Sequence, residues 1–589
     1  MEFIAHNLAP IMFAGLICFL LVGFPVAFSL GACGLFFAFI GIELNVLPEA
    51  LLQALPLRIY GIMQNDTLLA IPFFTLMGLI LERSGMAEDL LDTIGQLFGP
   101  IRGGLALAVI FVGALLAATT GVVAASVISM GLISLPIMLR YGYDRRLAAG
   151  VIAASGTLAQ IIPPSLVLII IADQLGRSVG DMYKGAFLPG LMLTGFYALY
   201  VILLAVIKPQ WVPALPPEAR TLREDNGKSG VPSLLVLTAI CTAASIYVAK
   251  NMPALHTWWS GEAVDKVALD ETIVVSMCFG VALAFVAASF NKITRLGLLS
   301  RAAERVTFVL IPPLLLLFLV LGTIFLGVAT PTAGGAMGAL GAIVMAVIRG
   351  RLSMSLLTQA LNTTTKLSCF VVFILVGATI FGLTFQGVDG PLWVEHLLSG
   401  LPGGQLGFLI VVNIMVFFLA FFLDFFELSF IVVPLLAPVA DKLGIDLIWF
   451  GVLLAINMQT SFMHPPFGFA LFYLRSVAPA KEYMDKVTKK MIAPVTTTQI
   501  YWGAIPFLCI QILMVALVIT FPGIVSSGLD KAEVYDLDKV RLEMEANMPA
   551  PMEQADPTAG MPGSEAPAAE DDPLKAMQES LSQDAEKKN

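Results

Sequence analysis

The segment 140–165, "RYGYDRRLAAGVIAASGTLAQIIPPS", has a gap-free counterpart at 442–467, "KLGIDLIWFGVLLAINMQTSFMHPPF". Each segment carries a glycine, an aspartate and a proline pair at the same positions. These are Gly142 and Gly444, Asp144 and Asp446, and Pro163-Pro164 and Pro465-Pro466. Because proline removes a backbone donor and blocks the helical bond to the residue four places earlier, each pair predicts an interrupted helix. The sequence therefore predicts one structural module used twice.

The composition places these modules in a membrane. The chain is 58% hydrophobic and only 13% charged, with a mean hydropathy of +0.89, which lies outside the range of soluble globular proteins. Apolar runs of spanning length recur, for example at 185–207, 306–328 and 495–522. Since an open sheet cannot satisfy its backbone in lipid, we expect an all-α polytopic protein in contact with the bilayer.

The net charge of −9 comes from the C-terminal segment. Residues 530–589 hold 15 acidic and 6 basic residues, and the rest of the chain is balanced. The segment is rich in Pro and Ala and poor in aromatic residues, so we expect a disordered acidic tail. Nothing in this charge distribution favours binding to nucleic acid.

The distribution of Lys and Arg predicts two re-entrant hairpins. Basic residues cluster in alternate loops, including 82–102 and 139–147. The positive-inside rule places both loops in the cytoplasm, so the apolar segment 103–140 between them must enter the membrane and return. The loop 389–404 contains no Lys or Arg, and by the same reasoning 405–443 is a hairpin from the opposite face. The N-terminus and the tail then lie in the periplasm.

Inverted repeats with interrupted helices near the midplane are typical of secondary transporters. The predicted organisation follows the chain in six parts. These are N-terminal scaffold spans at 1–99; a first repeat core at 100–207 with hairpin 103–140 and broken helix 146–175; a cytoplasmic loop and an additional pair of spans at 208–300; scaffold spans at 301–390; a second repeat core at 391–524 with hairpin 405–443 and broken helix 447–478; and the tail at 525–589.

Polar residues gather at the predicted breaks. Freed backbone carbonyls beside hydroxyl and amide oxygens form a hard-oxygen cage that suits a small cation such as Na+, and the half-helix after each proline pair offers a positive dipole to an anion. The residues at the breaks are Ser155, Gly156, Thr157, Pro163, Pro164 and Ser165 in the first copy, and Asn457, Gln459, Thr460, Pro465 and Pro466 in the second. For one copy alone, a proline kink repaired by Ser and Thr would be the simpler interpretation. The duplication favours a site.

The hairpin tips add further candidates. The first tip contains Thr119, Thr120 and Gly121, and the second contains Asp424 and Glu427. A spacing of three predicts that the two carboxylates share one face of a helical turn. Carboxylates in an apolar run are costly and usually functional, so Asp424 is the best candidate for a cation ligand or for holding the tip. The alternatives are a solvated pair near an interface or a pair satisfied by a neighbouring helix.

Several stretches resemble the large membrane subunit of TRAP transporters (tripartite ATP-independent periplasmic). They include "IPFFTLMGLILERSGMAEDL", "GTLAQIIPPS", "GVATPT" and "LGIDLIWFGVLLAINMQTSFMHPPFGFALFYLRSVAP", and the likeness runs through residues 10–525. The resemblance implies a sodium-driven importer of a small organic anion in the bacterial inner membrane, with an elevator-type transport domain. It also implies two partners: a periplasmic substrate-binding protein and a small four-helix membrane subunit.

By position, the resemblance places one sodium region at Thr119–Gly121 with Ser155–Thr157, and a second at Asp424 with Asn457–Thr460. Glu427, Ser165 and the proline pairs are candidates for the substrate side of the helix breaks. The chain departs from the common pattern at Ala333-Gly334 after the "TPT" turn. Its tips look more like the subgroup linked to 2-oxo acids, mannitol and chloroaromatic carboxylates.

Three other functions remain open from the sequence. A stand-alone ion-coupled carrier of the divalent-anion type would need no binding protein. A passive channel would explain a polar pore but does not require a duplicated broken helix. An intramembrane enzyme has little support, because the chain has only 4 histidines and no HExxH motif. No organic cofactor is expected, and Na+ is the expected coupling ion.

Overall fold

The computed structural model describes residues 2–220, 222, 230–261, 267, 269–295, 297–485, 487–527 and 529. In these residues the fold consists of helices and one two-stranded antiparallel ladder, β1 (Tyr483–Met484) and β2 (Met491–Ile492). The predicted all-α class is confirmed apart from this short ladder. The predicted acidic tail from residue 530 onward lies outside the described residues.

The helices follow one another along the chain with short connections. They are α1 (Glu2–His6), α2 (Leu8–Val22), α3 (Val26–Glu43), α4 (Leu55–Met63), α5 (Ala70–Arg83), α6 (Met86–Phe98), α7 (Gly104–Thr120), α8 (Val123–Arg140), α9 (Arg145–Thr157), α10 (Leu166–Gln174), α11 (Val179–Ile207), α12 (Val231–Lys250), α13 (Met252–Ser260), α14 (Leu269–Thr294), α15 (Arg301–Phe325), α16 (Pro331–Ile348), α17 (Met354–Gly387), α18 (Gly390–Ser399), α19 (Gly404–Leu419), α20 (Phe425–Lys442), α21 (Leu447–Thr460), α22 (Phe469–Val477), α23 (Thr497–Thr520) and α24 (Gly523–Ser526). Short 3-10 helices lie at Glu49–Ala54, Asp66–Leu69, Leu158–Gln160, Pro209–Trp211 and Pro217–Ala219.

Many of these helices have the length and composition of membrane spans. Among the described residues, 9 helices are long and apolar enough to cross a bilayer, and two bent pairs bring the total to 11. One pair, Glu49–Met63 with Asp66–Arg83, bends by 47°, and the other, Gly390–Ser399 with Gly404–Leu419, bends by 115°. The chain is therefore a polytopic helical membrane protein.

The matched residues of the two repeats have the same structural roles. Asp144 caps α9 by accepting from the backbone N–H of Arg146 at 2.9 Å, and Asp446 caps α21 by accepting from Trp449 at 2.7 Å. Gly142 and Gly444 adopt φ values of 81° and 70°, a region that favours glycine. The same signals thus end the hairpin and start the broken helix in both copies.

Both predicted helix interruptions are present. The first broken helix runs through α9, the 3-10 turn Leu158–Gln160 and α10, so that its non-helical segment is 161–165. The second runs from α21 to α22 and is open over 461–468. The peptide bond between the two prolines is cis in each break. The first break is buried throughout, whereas Pro466 in the second is exposed.

The two hairpins, α7–α8 and α19–α20, enter the helical body from opposite ends. Arg140 at the base of α8 lies beside α6, and Asp89 of α6 pairs with Arg351 just before α17. Lys442 at the base of α20 instead pairs with Glu395 of α18, which follows the far end of α17. The base of hairpin one thus lies near the start of α17, and the base of hairpin two lies near its end. Because these bases are at opposite ends of a long helix, the hairpins point toward each other, as the predicted inverted repeat requires.

Helices α12 and α14 form the additional pair of spans and pack against each other and against α15. The contact between them is close, because a Cβ on Gly280 would come within 2.1 Å of the Ser245 hydroxyl. At the C-terminal side, Val525 is fully buried and lies against Gly185 of α11. The predicted start of the tail at 525 is therefore a few residues too early.

A partly buried ion pair fixes the ladder to hairpin one. The Arg140 Nε donates to Asp485 at 3.0 Å, and Asp485 also accepts from the backbone N–H and hydroxyl of Thr488 at 2.7 and 2.8 Å. Burial opposes ionisation of Asp485, but the donors of Thr488 and the guanidinium of Arg140 outweigh it and lower its pKa to about 2. Asp485 therefore stays ionised over the physiological pH range.

The substitution Asp485→Asn should lower the thermal unfolding temperature of the detergent-purified chain. It removes a charge that three donors satisfy, and we expect the free energy of unfolding to fall by an amount on the order of 2 kcal/mol. The matched control is Asp92→Asn, because the Arg305–Asp92 pair is 43% and 47% exposed and should contribute less than about 1 kcal/mol. Equal shifts for the two variants would contradict this assignment.

Candidate cation and substrate site

The two repeats meet at a hydrogen bond between matched residues. Gln459 lies 302 positions after Thr157, and its Nε2 donates to the Thr157 hydroxyl at 3.1 Å. Two residues at equivalent positions of a repeat can touch only near the axis that relates the copies. Thr157 and Gln459 therefore mark the centre of the inverted repeat, where both helices lose their regular backbone.

Two further residues join this centre. The Nε2 of Gln511 donates to the Tyr197 hydroxyl at 2.9 Å and lies 3.5 Å from the Thr157 hydroxyl. The side-chain oxygens of Gln459 and Gln511 are buried and have no hydrogen-bond partner among the described residues. Neither Gln511 nor Tyr197 was among the predicted site residues. The available signal was an amide in the apolar run "FLCIQILMV" of α23.

Three of the hydroxyl candidates donate within their own helices. Ser155 donates to the carbonyl oxygen of Val151 at 2.6 Å, and Thr460 donates to that of Asn457 at 2.6 Å. Thr157 donates to the Ala154 carbonyl at 2.8 Å. Because each proton is used locally, the oxygen lone pairs of Ser155 and Thr460 remain available to accept or to coordinate, whereas the Thr157 oxygen already accepts from Gln459.

Gly156 has a packing role at the same level. A Cβ at this position would lie 2.3 Å from the Val127 side chain and 3.1 Å from its backbone nitrogen. Helix α8 of hairpin one can therefore approach α9 only because residue 156 has no side chain. This contact holds the hairpin next to the first break.

Asn457 connects the second break to hairpin two. Its Nδ2 donates to the backbone carbonyl of Asn413 in α19 at 2.8 Å. The side-chain oxygen of Asn413 is buried without a partner among the described residues. Asn413 was not predicted, although a single Asn in the apolar run "LIVVNIMVF" carried the same kind of signal as Gln511.

The tip of hairpin one lies against the first break. Thr119 donates to the Leu116 carbonyl at 3.0 Å, and Gly121 turns the chain with φ 59°. A Cβ on Gly121 would be 3.3 Å from the Pro164 carbonyl oxygen. Thr120 is the last residue of α7, and its side chain lies outside the described part of the structure.

The carboxylates of hairpin two form a capping box. The Asp424 side chain accepts from the Glu427 backbone N–H at 2.9 Å, and the Glu427 side chain accepts from the Asp424 backbone N–H at 2.9 Å. The two side chains therefore meet at the first turn of α20, where Asp424 precedes the helix and caps it and Glu427 lies within it. Neither carboxylate has an ion pair among the described residues.

One cavity of about 290 Å³ is lined by residues of the two hairpin tips and of the two broken helices. Gly121 and Asp424 bring the two hairpin tips to its wall, and Gln160 and Leu166 bring the first break. Phe370 of α17 closes another side. The proline pairs, Ser165 and Glu427 do not line the cavity. Ser165 caps α10 and its hydroxyl donates to the Gln160 carbonyl at 2.5 Å, so it shapes the break.

The available ligand atoms are those of a hard-cation site. Within the described residues, no group of three or more His, Cys, Asp or Glu side chains is placed to hold a metal ion. Amide, hydroxyl, carbonyl and carboxylate oxygens dominate the two breaks and the second tip. Oxygen ligands of this kind favour alkali or alkaline-earth cations over transition metals.

Opposed hairpins, interrupted helices and a polar centre define the class of secondary membrane transporters. The chain matches the family described as "Tripartite ATP-independent periplasmic transporter, DctM component" over residues 13–264 and 267–524, and it belongs to that family. This is a family of large TRAP permease subunits, which is a transporter class and not an enzyme class.

Curated relatives cover most of the chain at low identity. It is 26% identical over 481 residues to the C4-dicarboxylate TRAP transporter large permease protein DctM of Rhodobacter capsulatus, covering 79% of this chain and 89% of that protein. It is 24% identical over 505 residues to the sialic acid TRAP transporter large permease protein SiaM of Vibrio cholerae, covering 85% and 94%. Among solved structures, the Alcanivorax borkumensis YdaH transporter aligns with a TM-score of 0.47 at 12% identity, covering 80% of this chain and 88% of that one.

The substitution Gly156→Ala should destabilise the protein by separating α8 from α9. Overpacking of a close helix contact costs about 1–3 kcal/mol, which should appear as a lower thermal unfolding temperature. The control is Gly195→Ala in α11, where an added Cβ meets nothing within 4 Å. A Gly156→Ala protein as stable as the Gly195→Ala protein would show that the contact does not hold the hairpin.

Proposed function

We propose that this chain is the large membrane subunit of a sodium-coupled, binding-protein-dependent TRAP transporter that imports a small organic anion by an elevator movement. The observation that carries the proposal is a cavity bounded by both hairpin tips and by residues of both broken helices. A binding site built from both halves of an inverted repeat can face either side of the membrane as the halves exchange roles.

Two acidic side chains without a basic partner among the described residues support sodium coupling. Asp424 and Glu427 lie in an apolar hairpin without a basic partner among the described residues, and Asp424 lines the cavity. An anion entering that cavity meets a carboxylate, which raises its cost of binding. A cation held by Asp424 would lower this cost, so cation and anion would favour each other's binding.

The positions of two cavities along α17 support the elevator movement. The cavity touches Leu367 and Phe370, and a second cavity of about 250 Å³ lies between α17 and α20 near Thr379 and Gly382. With a rise of 1.5 Å per residue, these two levels are roughly 18 Å apart along the helix. Displacement of the hairpins and broken helices by this distance would carry the site from the middle of α17 toward its C-terminal end.

The relatives support the substrate and partner classes. Their names include C4-dicarboxylate and sialic acid TRAP permeases, which are proteins for carboxylates. We extend this class to the present chain, together with a periplasmic substrate-binding protein and a small four-helix membrane subunit as partners. The location proposed is the bacterial inner membrane, with the N-terminus and C-terminal tail in the periplasm.

A stand-alone carrier is the alternative, and a reconstitution experiment separates the two. Proteoliposomes containing the large and small subunits are given a sodium gradient, with and without the cognate binding protein. The tripartite function predicts uptake of the organic anion only when the binding protein and the gradient are both present. Uptake that ignores the binding protein would establish the stand-alone carrier.

Replacing Asp424 by Asn should abolish stabilisation by sodium. In the wild type, NaCl should raise the thermal unfolding temperature relative to KCl, because a bound ion at a hundredfold excess over its Kd adds about 2.7 kcal/mol. Asn can still cap α20 but has no charge for the cation.

The matched control is Asp441→Asn, on the same helix α20 but with a side chain that is 69% exposed. It should keep the full difference between sodium and potassium. An Asp424→Asn protein that keeps this difference would remove Asp424 from the sodium site.

A further inference from the structure

We propose that the cavity between the two hairpin tips selects a monocarboxylate with a large, flat apolar body. This inference rests on the proposed transport function and names the substrate class within it. Six of the 14 residues that line the cavity are aromatic. The rings that line it are Phe370, Phe425, Phe426, Phe462, Phe469 and Tyr473. Such a wall favours a ligand that buries an apolar face and stacks against neighbouring rings.

The wall also lacks fixed positive charge. No Lys, Arg or His is among its lining residues, whereas Arg58 and Arg140 line other cavities of the described chain. A dicarboxylate would bring two further charges beside Asp424 and find no basic side chain in the wall for either of them. Burial of an unpaired carboxylate is strongly unfavourable, so the wall disfavours a second charge on the ligand.

One carboxylate can be accommodated at the N-terminus of α8. This helix has 18 residues and begins at Val123, and its preceding residue, Val122, provides no side-chain cap. Valine is among the poorest residues at this position, which leaves first-turn N–H groups without a cap. Val122, Val123 and Ala124 all line the cavity, so this helix end offers donors and positive dipole to the ligand.

Gln160 supplies an independent indication of a ligand. Its side chain is 1% exposed, lines the cavity, and has no partner for either its nitrogen or its oxygen among the described residues. Leaving a buried amide unpaired costs about 1–3 kcal/mol per group. A carboxylate at the end of α8 would accept from the Gln160 N–H and remove this cost.

The volume agrees with a ligand containing one ring. A cavity of about 150 Å³ is enough to hold benzene, and the cavity here measures about 290 Å³. The remaining space accommodates a carboxylate arm. The arm would point to Gln160 and α8, and the ring would lie among the aromatic side chains.

The test measures direct binding by ¹⁹F NMR with the purified chain in lipid nanodiscs. The probes are 4-fluorophenylacetate, which has one carboxylate and one ring, and 2,2-difluorosuccinate, which has two carboxylates and no ring. In sodium chloride, the fluorophenylacetate signal should broaden on adding protein and the difluorosuccinate signal should not. Gln160→Leu should weaken binding of fluorophenylacetate about tenfold or more, the loss of one hydrogen bond to a charged group.

The matched control is Gln386→Leu, in the second cavity near Arg58, which should bind as the wild type does. If Gln160→Leu fails to fold, Phe370→Leu decides, since loss of a wall ring should also weaken binding of fluorophenylacetate. Preference for difluorosuccinate, binding of neither probe, or unchanged binding in the Gln160 and Phe370 variants would overturn the inference. Equal binding of fluorophenylacetate in sodium and choline chloride would support the substrate class and contradict the sodium coupling.

Discussion

Broken helices inside a membrane must satisfy their freed backbone groups within the protein, and the fold follows from this constraint. The first break is buried on all sides, and the tip of hairpin one covers it at Gly121. The second break is tied to hairpin two through Asn457 and Asn413. Because each break is held by a hairpin, and the hairpins enter from opposite ends, the polar groups collect at one central place.

The hydrogen bond between Thr157 and Gln459 is the most direct evidence for this arrangement. It joins the two halves of the repeat at their common axis, and the side-chain oxygens of Gln459 and Gln511 beside it have no partner in the part of the chain that the structure describes. Buried polar groups in this state are costly and require a compensating ligand or a water molecule. We propose that a small cation is the ligand of these oxygens, and that the cavity between the two hairpin tips takes an anion with an apolar body.

Sequence analysis could predict the architecture because proline pairs, capping aspartates and Lys/Arg-poor loops act through local physics. Asp144, Asp446 and the two proline pairs determine where the helices start and break, and the charge pattern determines which way the hairpins enter. The site was harder to predict. Gln511 and Asn413 are far from the breaks in sequence, and Asp424 proved to be a helix cap whose position depends on how the tip turns. Tertiary packing brings these residues together, and no local pattern encodes it.

The most direct measurement of the central claim is equilibrium binding of ²²Na⁺ to the purified chain in lipid nanodiscs. The account predicts saturable binding that excess Na+ competes and excess K+ does not, and that is lost when Thr157 and Gln459 are replaced together by Val and Leu. Absence of saturable binding in the wild type, or undiminished binding in the double variant, would contradict a cation site at the meeting point of the two broken helices.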